Sequence, residues 1–141
     1  MTKEMWLNLP VKDIKKARAF YSHLGFAFNS ERDTEHTACM LVGDQDAGKE
    51  TIVMLFSEHV FQSFTHHPIA DTRHGSQVLF SIDAESREEV NRLAARAEAA
   101  GGKVFAKPAE NTAWMYGCGF CDPDGHRWNV LFMDMDKMEK F

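Results

Sequence analysis

Nothing in this 141-residue chain approaches the ~20 consecutive apolar residues that a membrane-spanning helix needs, so no membrane partner is expected. Basic charge is not in excess either. Sixteen Lys and Arg stand against 21 Asp and Glu, a formal net charge of −5, which speaks against nucleic acid as a partner. Cysteine is scarce and odd in number: Cys39, Cys118 and Cys121 have no disulfide-framework spacing. The opening Met1-Thr-Lys-Glu-Met-Trp carries an acidic side chain at once and lacks the apolar core of a secretory leader, so the cytoplasm is the expected compartment. Also missing are a glycine-rich phosphate loop, a nucleophile elbow, and a helical His pair four apart with its glutamate. Those absences exclude P-loop, hydrolase-elbow and metalloprotease-like chemistry.

What is present is an ordinary globular composition, 44% hydrophobic and 26% charged. At this length one domain can bury roughly two-thirds of its unfolded surface without a disulfide or metal staple. Along the chain, Trp6–Val11 reads as a strand. Asp13 then caps a helix whose Ile14, Ala17, Phe20, Tyr21 and Leu24 recur at helical spacing until Gly25 stops it. Strands are expected at 26–29, 38–42 and 51–56. The polar stretch 59–75 reads as a connection opened by a short helix. The pattern then restarts: a strand at 77–82, a capping box in Ser86-Arg-Glu-Glu89, a helical stripe of Val90, Leu93, Ala94 and Ala97, and strands at 103–106, 115–121 and 126–133. Asp122-Pro-Asp-Gly125 is a tight turn between the last two. A βαβββ unit is therefore used twice: module one at about 4–58, module two at about 76–135. The charged tail 134–141 is expected to fray or pack lightly.

Leu9-Pro-Val-Lys-Asp-Ile, Ala19-Phe-Tyr and Leu24-Gly-Phe near the start, with Asp122-Pro-Asp-Gly-His-Arg-Trp-Asn-Val near the end, resemble the vicinal oxygen chelate superfamily. Glyoxalase I, extradiol dioxygenases, fosfomycin-resistance enzymes and bleomycin-binding proteins belong to it. The resemblance spans about residues 4–135. It implies an α+β fold in which two βαβββ modules form a half-open barrel around a cleft, commonly in a homodimer. It does not fix the chemistry.

In metal-using relatives, the first and last strand of each module supply one ligand apiece, usually His, Gln or Glu. Laid on this sequence, those positions fall on Trp6, Met54 (Val53 if the register slips by one), Gln77 and Asn129. An indole cannot ligate in this way, and a thioether is a soft donor for hard divalent ions. Two neutral amides lack the charge that a catalytic site draws from His or carboxylate. The expectation is a metal-free protein without a cofactor, binding a small, partly aromatic molecule. The lining expected for that ligand is Trp6, Asn8, Met54, Gln77 and Asn129, with Trp114 and Tyr116 at the rim. Two other readings stay open. One is a glyoxalase-type lyase holding a divalent metal through Gln77 and Asn129. The other is a structural or regulatory dimer whose barrel is filled by Trp6 and Met54.

Cys118-Gly-Phe-Cys121 lies in an expected strand, where residues three apart face opposite sides, so a redox or zinc pair is disfavoured. His66, His67 and His74 read as polar loop surface, and His126 as part of its turn. Glu35 and His36 are candidates for acid–base work, but no partner stands at fixed spacing from them.

Overall fold

The computed structural model describes residues 1–137, and these form two compact units, Met1–Asp71 and a second from Thr72 onward. In the first, β1 (Leu7–Val11), α1 (Ile14–His23), β2 (Ala27–Phe28), β3 (Thr37–Val42) and β4 (Thr51–Ser57) are followed by α2 (Glu58–Thr65). Its sheet runs β1-β4-β3-β2, with β1 parallel to β4 and the other pairs antiparallel. In the second, β5 (Leu79–Asp83), α3 (Arg87–Ala99), β6 (Lys103–Glu110), β7 (Met115–Cys121) and β8 (Arg127–Met133) repeat that order as β5-β8-β7-β6. Again the outer crossover pair, β5 and β8, is parallel. The βαβββ unit thus occurs twice, as an α+β fold.

Local chemistry sets each helix. Asp13 accepts a bond from the Lys16 amide at 3.1 Å, and Leu24 and Gly25 (φ +100°) close α1. The buried stripe of Ala17, Phe20 and Tyr21 packs on one face of the sheet, built from Leu9, Val11, Ala38, Met40, Val53 and Leu55. Each large side chain buried there contributes about 1.5–3 kcal/mol. In the second unit Ser86 accepts from the Glu89 amide at 3.1 Å, while the Glu89 carboxylate turns back to the Glu85 amide at 3.2 Å. The reciprocal arm of the capping box therefore lands one residue earlier than the motif predicts. Val90, Leu93, Ala94 and Ala97 are buried, as are Cys118, Phe120, Trp128 and Val130 of the sheet.

The Asp122–Gly125 turn is held by one buried carboxylate. Asp122 Oδ1 accepts from the amides of Asp124 (3.0 Å) and His126 (2.8 Å), and Gly125 has φ +89°. Thr72 donates its hydroxyl to the Asp124 carbonyl at 2.7 Å, which fixes the start of the unit to this turn.

Several boundaries differ from expectation. Trp6 lies just before β1, and β5 starts at Leu79, leaving Gln77 in a bend outside it. The strand expected at 103–106 runs on to Glu110, because two bulges let β6 continue past its irregularities. The short helix expected to open the connection at 59 is α2, which starts one residue earlier at Glu58 and packs on β1 and β4. Met135–Lys137 make a single 3₁₀ turn; the remainder of the expected frayed tail, 138–141, lies outside the described residues.

Candidate functional site

Side chains alternate across a strand, so each sheet has a helix-side face and a far face. In the first unit Leu9 and Leu55 are register partners on the helix side, as are Met40 and Val53. Asn8, Met54 and Cys39, themselves partners across β1, β4 and β3, stand on the far face. Of the two register choices, Met54 rather than Val53 faces away from the helix. Trp6 is 54% exposed at the foot of β1.

In the second unit Phe80, Ile82, Trp128, Val130 and Phe132 share the helix side, which leaves Ser81, Asn129 and Leu131 on the far face. Asn129's neighbour on β5 is Ser81, not Gln77. The structure moves Tyr116 off the expected rim. It is the partner of Phe132, its hydroxyl donates to Asn91 of α3 at 2.6 Å, and Arg87 of α3 lies over both rings. It thus stands on the opposite face from Asn129. Trp114 sits in the turn before β7, where its carbonyl accepts the Asp134 amide at 2.7 Å.

Two residues absent from the sequence expectation join this far face. Arg127 is the partner of Leu79 and stands two residues before Asn129; its guanidinium lies 4.4 Å from the centroid of the Phe105 ring. The signal for Arg127 was present in the alternation of Arg127-Trp-Asn-Val, since a core Trp128 turns Arg127 and Asn129 the same way. Phe105 carried no such signal, because its place over the sheet depends on the pairing of β6 with β7 and not on either strand alone.

The far-face donors do not fit a metal of the kind metal-using relatives hold. Asn8 and Met54 offer an amide and a thioether; Ser81 and Asn129 offer a hydroxyl and an amide. Among the described residues no three His, Cys, Asp or Glu side chains form a metal-holding group. Cys118 and Cys121 face opposite sides of β7. Burial pushes the Cys118 thiol up to about 11, and its sulfur lies 3.8 Å from the Val90 carbonyl.

His36 gains the partner that sequence spacing could not supply. Its Nδ1 lies 3.0 Å from the Ser57 hydroxyl, its ring meets His59 edge-on at 4.6 Å, and Glu35 is 4.0 Å from Nε2. These groups border a cavity of about 540 Å³ in the first unit. Ser57 is the N-cap residue of α2 but makes no capping bond, because its hydroxyl is turned to His36.

The model of the Glyoxalase/Bleomycin resistance protein/Dioxygenase superfamily matches residues 5–130. Hypothetical protein SA1046 from S. aureus is 31% identical, with 94% of each chain covered and a TM-score of 0.81. A glyoxalase-related enzyme from Fulvimarina pelagi shares the fold at 16% identity and TM-score 0.78, over 94% of this chain and 88% of its own. The bleomycin resistance determinant encoded on the transposon Tn5 shares it at 17% identity and TM-score 0.59, over 95% of this chain and all of its own. No curated protein matches the chain.

Proposed function

Starting from the fact that this chain belongs to the glyoxalase/bleomycin resistance protein/dioxygenase superfamily, we propose that it binds a small, partly aromatic molecule without a metal and without turning it over. One observation carries the reading. Met54, beside Asn8 in the first unit, and Asn129, beside Ser81 in the second, put a thioether and a neutral amide at positions where metal-using relatives carry His, Gln or Glu. Such a mixture suits a small-molecule site, in which a few polar groups orient a ligand held mainly by apolar contact. Trp6 and Trp114 remain candidate contacts, as does Gln77 beside the foot of β5.

The homodimer and the cytoplasmic setting belong to this proposal as well. Three free thiols are in keeping with a reducing compartment, and no helix among the described residues is long and apolar enough to cross a membrane. For the dimer, light scattering is expected to give a mass of twice 16.1 kDa, and a mass of 16.1 kDa would overturn it.

The test is metal content of the untagged protein, with melting recorded with and without chelator. The expected result is no bound metal, no chelator effect, and saturable quenching of Trp6 or Trp114 fluorescence by aromatic probes. Near-stoichiometric zinc, nickel or manganese with chelator-sensitive melting overturns the proposal and returns the lyase reading, which an activity assay would then test.

A further inference from the structure

Three residues from three strands of the second unit build one feature that the binding proposal does not use. On β6 the register slips between Val104 and Ala106, so Phe105 is the extra residue of a bulge. The register that pairs Val104 with Phe120 brings Phe105 opposite Gly119 of β7, and the ring lies over that glycine. The fit needs a glycine: a Cβ at position 119 would stand 2.5 Å from two carbons of that ring. On the ring's other neighbour, β8, the Arg127 guanidinium stacks at 4.4 Å from the centroid. Glycine, ring and guanidinium form a layered stack that holds a planar cation against the far face of the sheet.

Arg127 is half-buried, and among the described residues no carboxylate lies within ion-pair distance of it. Asp83, the acid on the same face of β5, is the partner of Leu131, four residues along β8 and about 13 Å from Arg127 at strand rise. Arg18 pairs with Asp33 and Arg87 with Glu110, both away from Arg127. Stacking on Phe105 occupies one face of the guanidinium and leaves its N–H edges for a partner, the geometry that accepts a carboxylate or phosphonate in two parallel bonds. About 7 Å further along the strand, the Asn129 amide stands beside Ser81, a spacing that suits a hydrogen-bonding group one aromatic ring away from the acid.

We propose that Arg127, held by Phe105 and Gly119, is the anion-recognition point of the ligand site, and that the ligand is an aromatic acid rather than the cation an acidic protein would attract at long range. This rests on the binding proposal above and narrows its ligand class. With a net charge of −5 the chain's overall field opposes such a ligand, so its recognition has to be local.

The test titrates the full-length protein with phenylphosphonate, benzamide and benzylamine, following affinity by calorimetry and the Ser81, Asn129 and Arg127 resonances by NMR. Phenylphosphonate is expected to bind roughly ten- to a hundredfold more tightly than benzamide, with benzylamine weakest. Arg127→Met removes that preference and leaves the benzamide affinity within about twofold; Arg127→Lys keeps part of it, since charge remains and the fork is lost. If all three probes bind alike, or Arg127→Met keeps the preference, the anion assignment falls and aromatic binding stands. If none of the probes shifts the far-face resonances, both fall.

Discussion

Gly117 and Gly119 stand two residues apart on the same face of β7, yet alanine at each is expected to do different things. A Cβ at 119 first meets the Phe105 ring, at 2.5 Å from carbons Cε1 and Cζ. That ring is the end of a side chain on a bulged edge strand and is 36% exposed, so it can swing clear into solvent. A Cβ at 117 stands 2.7 Å from Leu131 Cδ2 and also 2.7 Å from the Val130 carbonyl oxygen. That carbonyl belongs to β8, which β5 and β7 pin on both sides, so the backbone has nowhere to go.

Gly119→Ala therefore forfeits the Arg127–Phe105 stack, about 0.5–1 kcal/mol, and regains a similar amount because alanine loses less freedom on entering a strand. The net change stays within about 1 kcal/mol. Gly117→Ala carries overpacking of about 1–3 kcal/mol and strains the ladder, for a net loss of about 2–3 kcal/mol. In a chain of 141 residues a kilocalorie moves the melting point by roughly 3–4 °C. Scanning calorimetry is then expected to show Gly117→Ala lowered by roughly 6–12 °C, and Gly119→Ala by no more than about 4 °C. The stable Gly119 variant should still bind phenylphosphonate less tightly, because its guanidinium has lost its support. Equal melting losses in the two variants would refute the distinction between a movable ring and a fixed carbonyl. A stable Gly119 variant with undiminished phosphonate affinity would show that the stack does not organise Arg127.

Two further outcomes follow from single side chains. The Cys118 thiol is raised by burial from its ordinary 9.0 to about 11, so the unfolded chain gives up this proton first. Its contribution is whole below pH 9 and is lost as pH climbs towards 11, up to roughly 2–3 kcal/mol; urea titrations should show this slope flattened in Cys118→Ala. A slope unchanged by that substitution would mean that water reaches the thiol. Ser86→Ala removes the acceptor of the Glu89 amide and is expected to cost about 1 kcal/mol in urea, against near zero for Ser63→Ala, whose hydroxyl only bonds back to the Val60 carbonyl.

The repeat was legible because its signals are local. A cap, an apolar stripe and a glycine stop are each written within a dozen residues, and Asp13 with Gly25 and Ser86 with Gly101 write them twice. The far-face site was only half legible, because it depends on register between strands distant in sequence. Trp6 and Gln77 were chosen by laying motifs over one another. The ladders instead set Asn8 beside Met54 and Ser81 beside Asn129, and no local pattern states those pairings. Tyr116 is a different case. Cys118 and Phe120 alternate with Gly117 and Gly119, and that alone turns Tyr116 towards α3; the aromatic type outweighed the parity.

Phe105 shows where single-strand reasoning ends. Strict alternation from Lys103 opposite Cys121 and Val104 opposite Phe120 sets Phe105 opposite Gly119, but that register is a pairing between two strands and is not written in β6 alone; the slip then brings Ala106 opposite the same glycine. The glycine pair in β7 is the trace that this pairing leaves in the sequence. A strand interior with two glycines two apart is weak by propensity, so something must occupy the space they leave. At 117 that occupant is β8's own backbone and Leu131; at 119 it is an aromatic ring from the neighbouring edge strand. Fixed backbone fills the first space and a movable ring fills the second. Only the second also holds a cation on the face that carries Ser81 and Asn129, so the more adaptable of the two glycines marks the more specific chemistry.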